Sequence, residues 1–232
     1  MNGIGMNESQ PTATADRILD VAEEMFAEQG YRGVSVRSIT LACGANIAAV
    51  HYHFGSKQVL LEEIFARRSG AINAARLALL AQCADRPGRA PLLEQVLEAY
   101  LRPSFAQPSG DKGAKRFMRL RSVVAHEQAE LSKNLIARHF NATSQRFLEA
   151  IAAATPHLAL EDVCWRFHFL LGAHYYTLSN PGRIQALSGD QCDPANLEVA
   201  LAEMIAFAAA GFRAPPCDRS QMSFAPSSAQ SA

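Results

Sequence analysis

The sequence predicts an all-α protein, built as a small N-terminal unit of short helices followed by a larger helical bundle. Apolar residues recur at helical spacing through most of the chain. No segment alternates with the period of two and the β-branched enrichment of a strand. Hydrophobic residues make up 49% of the 232 residues and charged ones 19%, enough apolar material for a sizeable core.

The elements follow in order. Residues 1–12 lack periodicity and read as disordered, as does the Pro-, Ser- and Ala-rich tail 214–232. Ile18, Leu19, Ala22, Met25 and Phe26 form the stripe of an amphipathic helix, which Gly30 ends. A short helix follows Ser35 and stops at Gly44, with Ile39 and Ala42 expected to face inward. Another starts at Asn46, reaches about His53 and stops at Gly55. Ser56 caps a fourth helix, whose buried face is expected to hold Val59, Leu60, Ile64 and Phe65. Longer helices then lie between turn clusters at Asp85–Gly88, Pro103–Lys115, Thr155–Pro156 and Ser179–Pro194. The domain division expected is 13–70 and 71–213.

Bulk properties exclude several classes. Five scattered cysteines with no C-x-x-C fit neither a disulfide framework nor a zinc knuckle. No signal peptide and no apolar run long enough for a bilayer is visible, so the expectation is a cytoplasmic protein without a membrane partner. No metal or cofactor site is expected. His126-Glu127 lacks the second histidine of H-E-x-x-H. No G-x-S-x-G, Walker A or Rossmann glycine set occurs, so the reading is not an enzyme.

Formal net charge is zero, yet from Tyr31 to Lys57 there is no Asp or Glu. That window holds Arg32, Arg37, Lys57, His51 and His53, a face suited to a phosphate backbone. The run from Ser35 to Phe54 has the parts of a helix-turn-helix. Ser35 and Asn46 are caps, Gly44 takes the turn, and Val50 and Phe54 anchor the second helix. Ile47, Ala48, Ala49, His51, Tyr52 and His53 are left to face a major groove, with Ala48 and Ala49 small enough for close approach. Tyr52 and Lys57 are placed to bind phosphates. The candidate DNA contacts are therefore Ser35, Arg37, Asn46, Ile47, Ala48, Ala49, His51, Tyr52, His53 and Lys57. A buried helical hairpin is the plain alternative, but His51, Tyr52 and His53 are consecutive and cannot share one core.

The run from Gly30-Tyr31 through His51-Tyr52-His53-Phe54-Gly55-Ser56-Lys57 to Leu61 resembles the N-terminal domain of TetR-family repressors, across residues 14–62. His51 stands where many members carry tyrosine. The resemblance implies a homodimer on a pseudo-palindromic operator in double-stranded DNA, and a C-terminal domain that dimerises and holds an effector. Phe117–Leu120 and Trp165–Ala173 are similar to the fatty-acid-responsive PsrA-type subgroup, which implies a small apolar effector of the fatty-acyl kind.

In the C-terminal part, the helix from about Glu161 to Leu178 is apolar nearly all round, as a helix buried on several sides would be. It and the Ala-rich helix from Val199 to Phe212 are candidates for a four-helix dimer interface. Phe117, Met118, Arg121, Trp165, His168, Leu171 and Tyr175 are the ligand candidates, with Arg121 or His168 meeting an acidic head. The plain alternative is an ordinary core in which Arg121 pairs with Glu127 or another acid. Two other functional readings stand beside the regulator: a helical protein-interaction module without DNA binding, and a helical enzyme of unrecognised type.

Overall fold

The computed structural model describes residues 10–44, 52, 54–83, 91–105 and 113–217, and all secondary structure among them is helical. The described helices are α1 (Gln10–Gln29), α2 (Val36–Cys43), α3 (Lys57–Cys83), α4 (Leu93–Phe105), α5 (Gly113–Glu127), α6 (Ala129–Ala154), α7 (Leu160–Ser179), α8 (Pro181–Ser188) and α9 (Leu197–Arg213).

Helix α1 buries Ile18, Leu19, Ala22 and Phe26, the stripe its spacing predicts. Gly30 follows it at φ +86°, a backbone conformation that glycine adopts without a Cβ clash. Helix α2 is rotated from expectation. Ile39, Thr40 and Cys43 are buried, while Ala42 faces solvent. Thr40 can turn inward because its hydroxyl donates to the Arg37 carbonyl at 2.7 Å, so no polar group is left unpaired. In α3 the residues Leu60, Leu61, Ile64 and Phe65 are fully buried, but Val59 lies outside that face, exposed in the first turn.

Two breaks are shorter than their composition suggests. Helix α4 runs through Pro103 to Phe105, and α5 begins at Gly113. Within the stretch Ser179–Pro194, α8 forms with Pro181 at its first position, where no intrahelical N–H bond is required. Gly189, left-handed at φ 57° and ψ 48°, ends it.

Helix α3, about 40 Å long at 1.5 Å per residue, joins the two halves. Its N-terminal part shares a core with α1, α2 and Phe54, and that core continues into Phe117, Leu120 and Val124 of α5 and Leu135 and Phe140 of α6. Phe65 meets Phe117 edge-on at 5.1 Å between ring centroids. The second core gathers α4, α6, α7 and α9 around Tyr100, Phe105, Phe147, Phe167 and Phe212. Helix α5 therefore packs against the N-terminal unit on one side and against α6 and α7 on the other. No described helix is long and apolar enough to cross a membrane.

Candidate nucleic-acid interface and interior polar cluster

The first site is built by local capping chemistry. The Ser35 hydroxyl accepts from the Ser38 N–H at 3.0 Å, and the Ser38 hydroxyl accepts from the Ser35 N–H at 3.0 Å. This reciprocal box fixes the start of α2. Gly44, left-handed at φ 62° and ψ 24°, ends the helix and its N–H donates to the Leu41 carbonyl. The next segment carries Asn46, Ile47, Ala48, Ala49, His51 and His53, which lie outside the described residues. Tyr52 and Phe54 are helical and divide by side: Tyr52 is 86% exposed and Phe54 only 7%. Gly55 turns the chain at φ +68°, and the Ser56 hydroxyl accepts from the Val59 N–H at 3.2 Å to open α3.

Lys57 and Arg37 complete this face. Arg37 is exposed on α2. The Lys57 ammonium lies 4.4 Å from the Tyr31 ring centroid, and Tyr31 packs on Phe26 at 5.3 Å. Burial of Lys57 pulls its pKa below the usual lysine value, and the Glu127 charge partly offsets this.

Four of the five acids of α1 pair with arginines elsewhere, while Glu28 is exposed near the end of the helix. Glu23, with no exposed surface, receives Arg67 at 3.2 Å and Arg68 at 3.0 Å. Asp20 binds Arg67 at 2.7 Å, and Glu24 binds Arg116 at 3.2 Å. These carboxylates are matched by arginines of α3 and α5, away from the acid-free loop and α2. Glu127, at the end of α5, reaches that loop and accepts from the Arg32 N–H at 2.8 Å. Its carboxylate also crowds Gly30, where a Cβ would collide with it. Glu127 is thus engaged with the N-terminal unit and does not pair with Arg121.

The second site is a polar cluster inside the C-terminal bundle. Arg121 stacks between Phe140 at 5.1 Å and Tyr175 at 5.3 Å, and donates weakly to the Met118 sulfur at 3.8 Å. Tyr175 donates its hydroxyl proton to the Ser122 oxygen at 2.7 Å. Met118, Arg121 and Tyr175 are thereby brought together. Phe117 turns instead toward Phe65, and Leu171 is half-buried against the second core. Trp165 and His168 are exposed on the outer side of α7, edge-on at 6.1 Å between ring centroids.

Two residues outside the sequence-based set belong to this interior. Arg76 of α3 is 2% exposed and His174 of α7 is 5% exposed. Arg76 donates to the Tyr100 carbonyl at 2.8 Å and to the Ser104 hydroxyl at 3.1 Å. His174 packs against Phe105 at 5.7 Å and Tyr100 at 6.4 Å between ring centroids. Burial, and then the charges of Arg76 and Arg121, push its pKa down to about 3. Neither residue was recognisable from sequence, because helices far apart in the chain bring them together. Among the described residues no group of His, Cys, Asp and Glu is placed to hold a metal ion.

Comparison with known proteins places both halves. Residues 18–64 match the family described as bacterial regulatory proteins, tetR family. Residues 98–211 match the tetracyclin repressor-like C-terminal domain. The HTH-type transcriptional regulator UidR of Escherichia coli K12 is 39% identical over 57 residues, 25% of this chain and 28% of UidR. The repressor NicS of Pseudomonas putida is 29% identical over 104 residues, 44% of this chain and 49% of NicS. These matches thus span less than half the length of either relative. In fold, the fatty acid degradation regulator FadR from Bacillus halodurans superposes with a TM-score of 0.64 at 18% identity, over 86% of this chain and 96% of that one. With its N-terminal and C-terminal halves each matching the same kind of regulator, the chain belongs to the tetR family of bacterial regulatory proteins.

Proposed function

We propose that the chain is a homodimeric DNA-binding repressor that leaves a pseudo-palindromic operator when a small effector occupies its C-terminal domain. The observation that carries this reading is the sorting of charge around the helix-turn-helix. Asp16, Asp20, Glu23 and Glu24 of α1 are tied to Arg67, Arg68 and Arg116, which leaves Arg37, exposed Tyr52 and Lys57 on a face suited to phosphates. The segment 46–53 is the proposed reader of the major groove, with Asn46, Ile47, Ala48 and Ala49 as its contacts. Ser35, His51 and His53 lie along the flanking backbone.

Dimerisation is supported by an uncovered apolar stripe. Trp165, Phe169 and Gly172 are exposed on one face of α7, and Phe207 of α9 is exposed as well. Trp165 and Phe169 stack at 5.9 Å, a ready-made rigid patch for a second copy. The effector proposed is small and apolar, of the fatty-acyl class. Its support is the likeness of Phe117–Leu120 and Trp165–Ala173 to PsrA-type repressors.

Titration of operator DNA with purified variants tests the reading. Tyr52→Phe and Lys57→Ala weaken binding to every sequence alike, and Lys57→Ala lowers the salt slope by roughly one. Ala49→Trp reduces binding to the non-specific level, at least about 1,000-fold weaker, while the fold survives. Unchanged operator affinity in Ala49→Trp would remove the recognition role of this segment.

A further inference from the structure

We propose that Arg76, Arg121 and His174 form a head-group site for an organic carboxylate with an apolar body, enclosed by the C-terminal bundle. This deepens the effector reading above and rests on it.

The first ground is charge without a counter-charge. Arg76 of α3 is buried and Arg121 of α5 is half-buried with its Nε sealed from solvent, and among the described residues neither forms an ion pair with a carboxylate. The other interior arginine contacts behave differently: Arg67 and Arg68 meet buried Glu23 directly. Arginine cannot shed its proton to escape the cost of burial. Burial depresses the proton affinity of Arg121, and the Arg76 charge adds to this to a smaller extent, against the opposing effect of Tyr175 and Tyr100. An isolated buried charge is tolerated where a partner compensates it, and an anion arriving from outside is such a partner.

The second ground is unspent hydrogen-bonding capacity. The Arg121 Nε and His174 Nε2 atoms are sealed from solvent and have no hydrogen-bond partner among the described residues. Buried polar atoms are nearly always paired, and each exception calls for a reason. Among the described residues Arg67 Nε, Asn73 Oδ1 and His139 Nε2 are unpaired as well, but Arg121 and His174 are the two that face an interior holding guanidinium charge without a carboxylate. A neutral imidazole offers one N–H, and Arg121 offers its Nε–H and a terminal N–H otherwise spent on a weak bond to sulfur. A carboxylate accepts all of these.

The third ground is the surroundings. Phe140, Tyr175 and Met118 flank Arg121, so only a head group finds polar partners. Met118 also lines a cleft of about 980 Å³ between α5, α7, α8 and α9, whose walls include Leu197, Met204 and Ile184. Arg76, Arg121 and His174 do not line that cleft, but Met118 touches Arg121 and lines it, so an apolar tail would extend past Met118. A cation is repelled by the same two arginines, and an ester or alcohol leaves their charge unanswered.

The test is calorimetry on the full chain with decanoate, 1-decanol and decyltrimethylammonium, alongside operator binding at fixed salt. Decanoate is expected to bind at least ten-fold more tightly than 1-decanol, with decyltrimethylammonium weakest. Arg121→Met is expected to erase that preference, while the ligand-free variant melts at or above the wild-type temperature, because an uncompensated charge has gone. The wild-type preference needs no variant to fold and decides the matter by itself. Equal binding of decanoate and 1-decanol, no binding of decanoate, or a preference surviving in Arg121→Met would overturn the site. If the chain binds operator and ignores decanoate, the carboxylate site falls and the regulator stands. If it selects decanoate and binds no DNA, the site stands and the regulator falls.

Discussion

A histidine enclosed between Tyr100 and Phe105, and faced by two arginines, has little room for a proton. His174 holds its neutral form down to about pH 3 in the folded chain, against an ordinary value of 6.5. The unfolded chain takes up that proton as pH falls through 6.5, and the folded chain does not follow until about 3. The stability this residue allows is therefore complete above 6.5 and is lost progressively below it, by about 1.4 kcal/mol per pH unit. His139, whose pKa is also lowered by burial, acts in the same direction. Urea unfolding of the wild type and His174→Phe at pH 7.5 and about pH 5 checks this. The wild type is expected to lose about 2 kcal/mol more than the variant over that interval. Parallel losses in the two proteins would place the titration elsewhere.

Among the helices, α5 links the two sites. Met118, Arg121 and Ser122 face the interior cluster, while Arg116 holds Glu24 and Glu127 holds the Arg32 N–H. Arg121 and Glu127 are about 9 Å apart along the axis, so a shift at the cluster moves the carboxylate that fixes the loop before α2. Glu127→Ala is expected to leave decanoate binding intact but to reduce its effect on operator affinity at least three-fold. Operator titrations with and without decanoate measure that coupling, and an unchanged ratio would assign transmission to another element. Elements of this kind divide in how far sequence reveals them. The α1 stripe, the Ser35 cap and the breaks at Gly44 and Gly55 were legible because each depends on residues within one or two turns of helix, whereas the reciprocal bond to the Ser38 hydroxyl was not foreseeable. The rotation of α2 was not, since Thr40 satisfies its own hydroxyl and takes the inward place expected for Ala42. Nor was the helix Pro181–Ser188, because Pro and Gly there mark its two ends within a stretch that reads as a break.

For the whole molecule, the helix-turn-helix unit and the C-terminal bundle form one architecture because α3 spans both cores and α5 joins them. Leu60, Leu61, Ile64 and Phe65 of α3 lie in the first core and Leu79, Leu80 and Cys83 pack against the second, while the first core extends to Phe117 and Phe140. Arg76 and His174 escaped the sequence reading because a lone arginine and a lone histidine gain meaning only when the bundle encloses them without an acid. The outer stripe of Trp165, Phe169 and Phe207 fits a pair of chains, and a pair fixes the spacing of two recognition segments. The most direct measurement is footprinting of genomic DNA fragments bound by the purified chain, with stoichiometry, at two salt concentrations. The account predicts a single inverted repeat whose half-sites lie roughly 34 Å or a small multiple apart, two chains per repeat, and affinity that falls steeply with salt. Uniform protection without a repeat, or no protection at low salt, would contradict it.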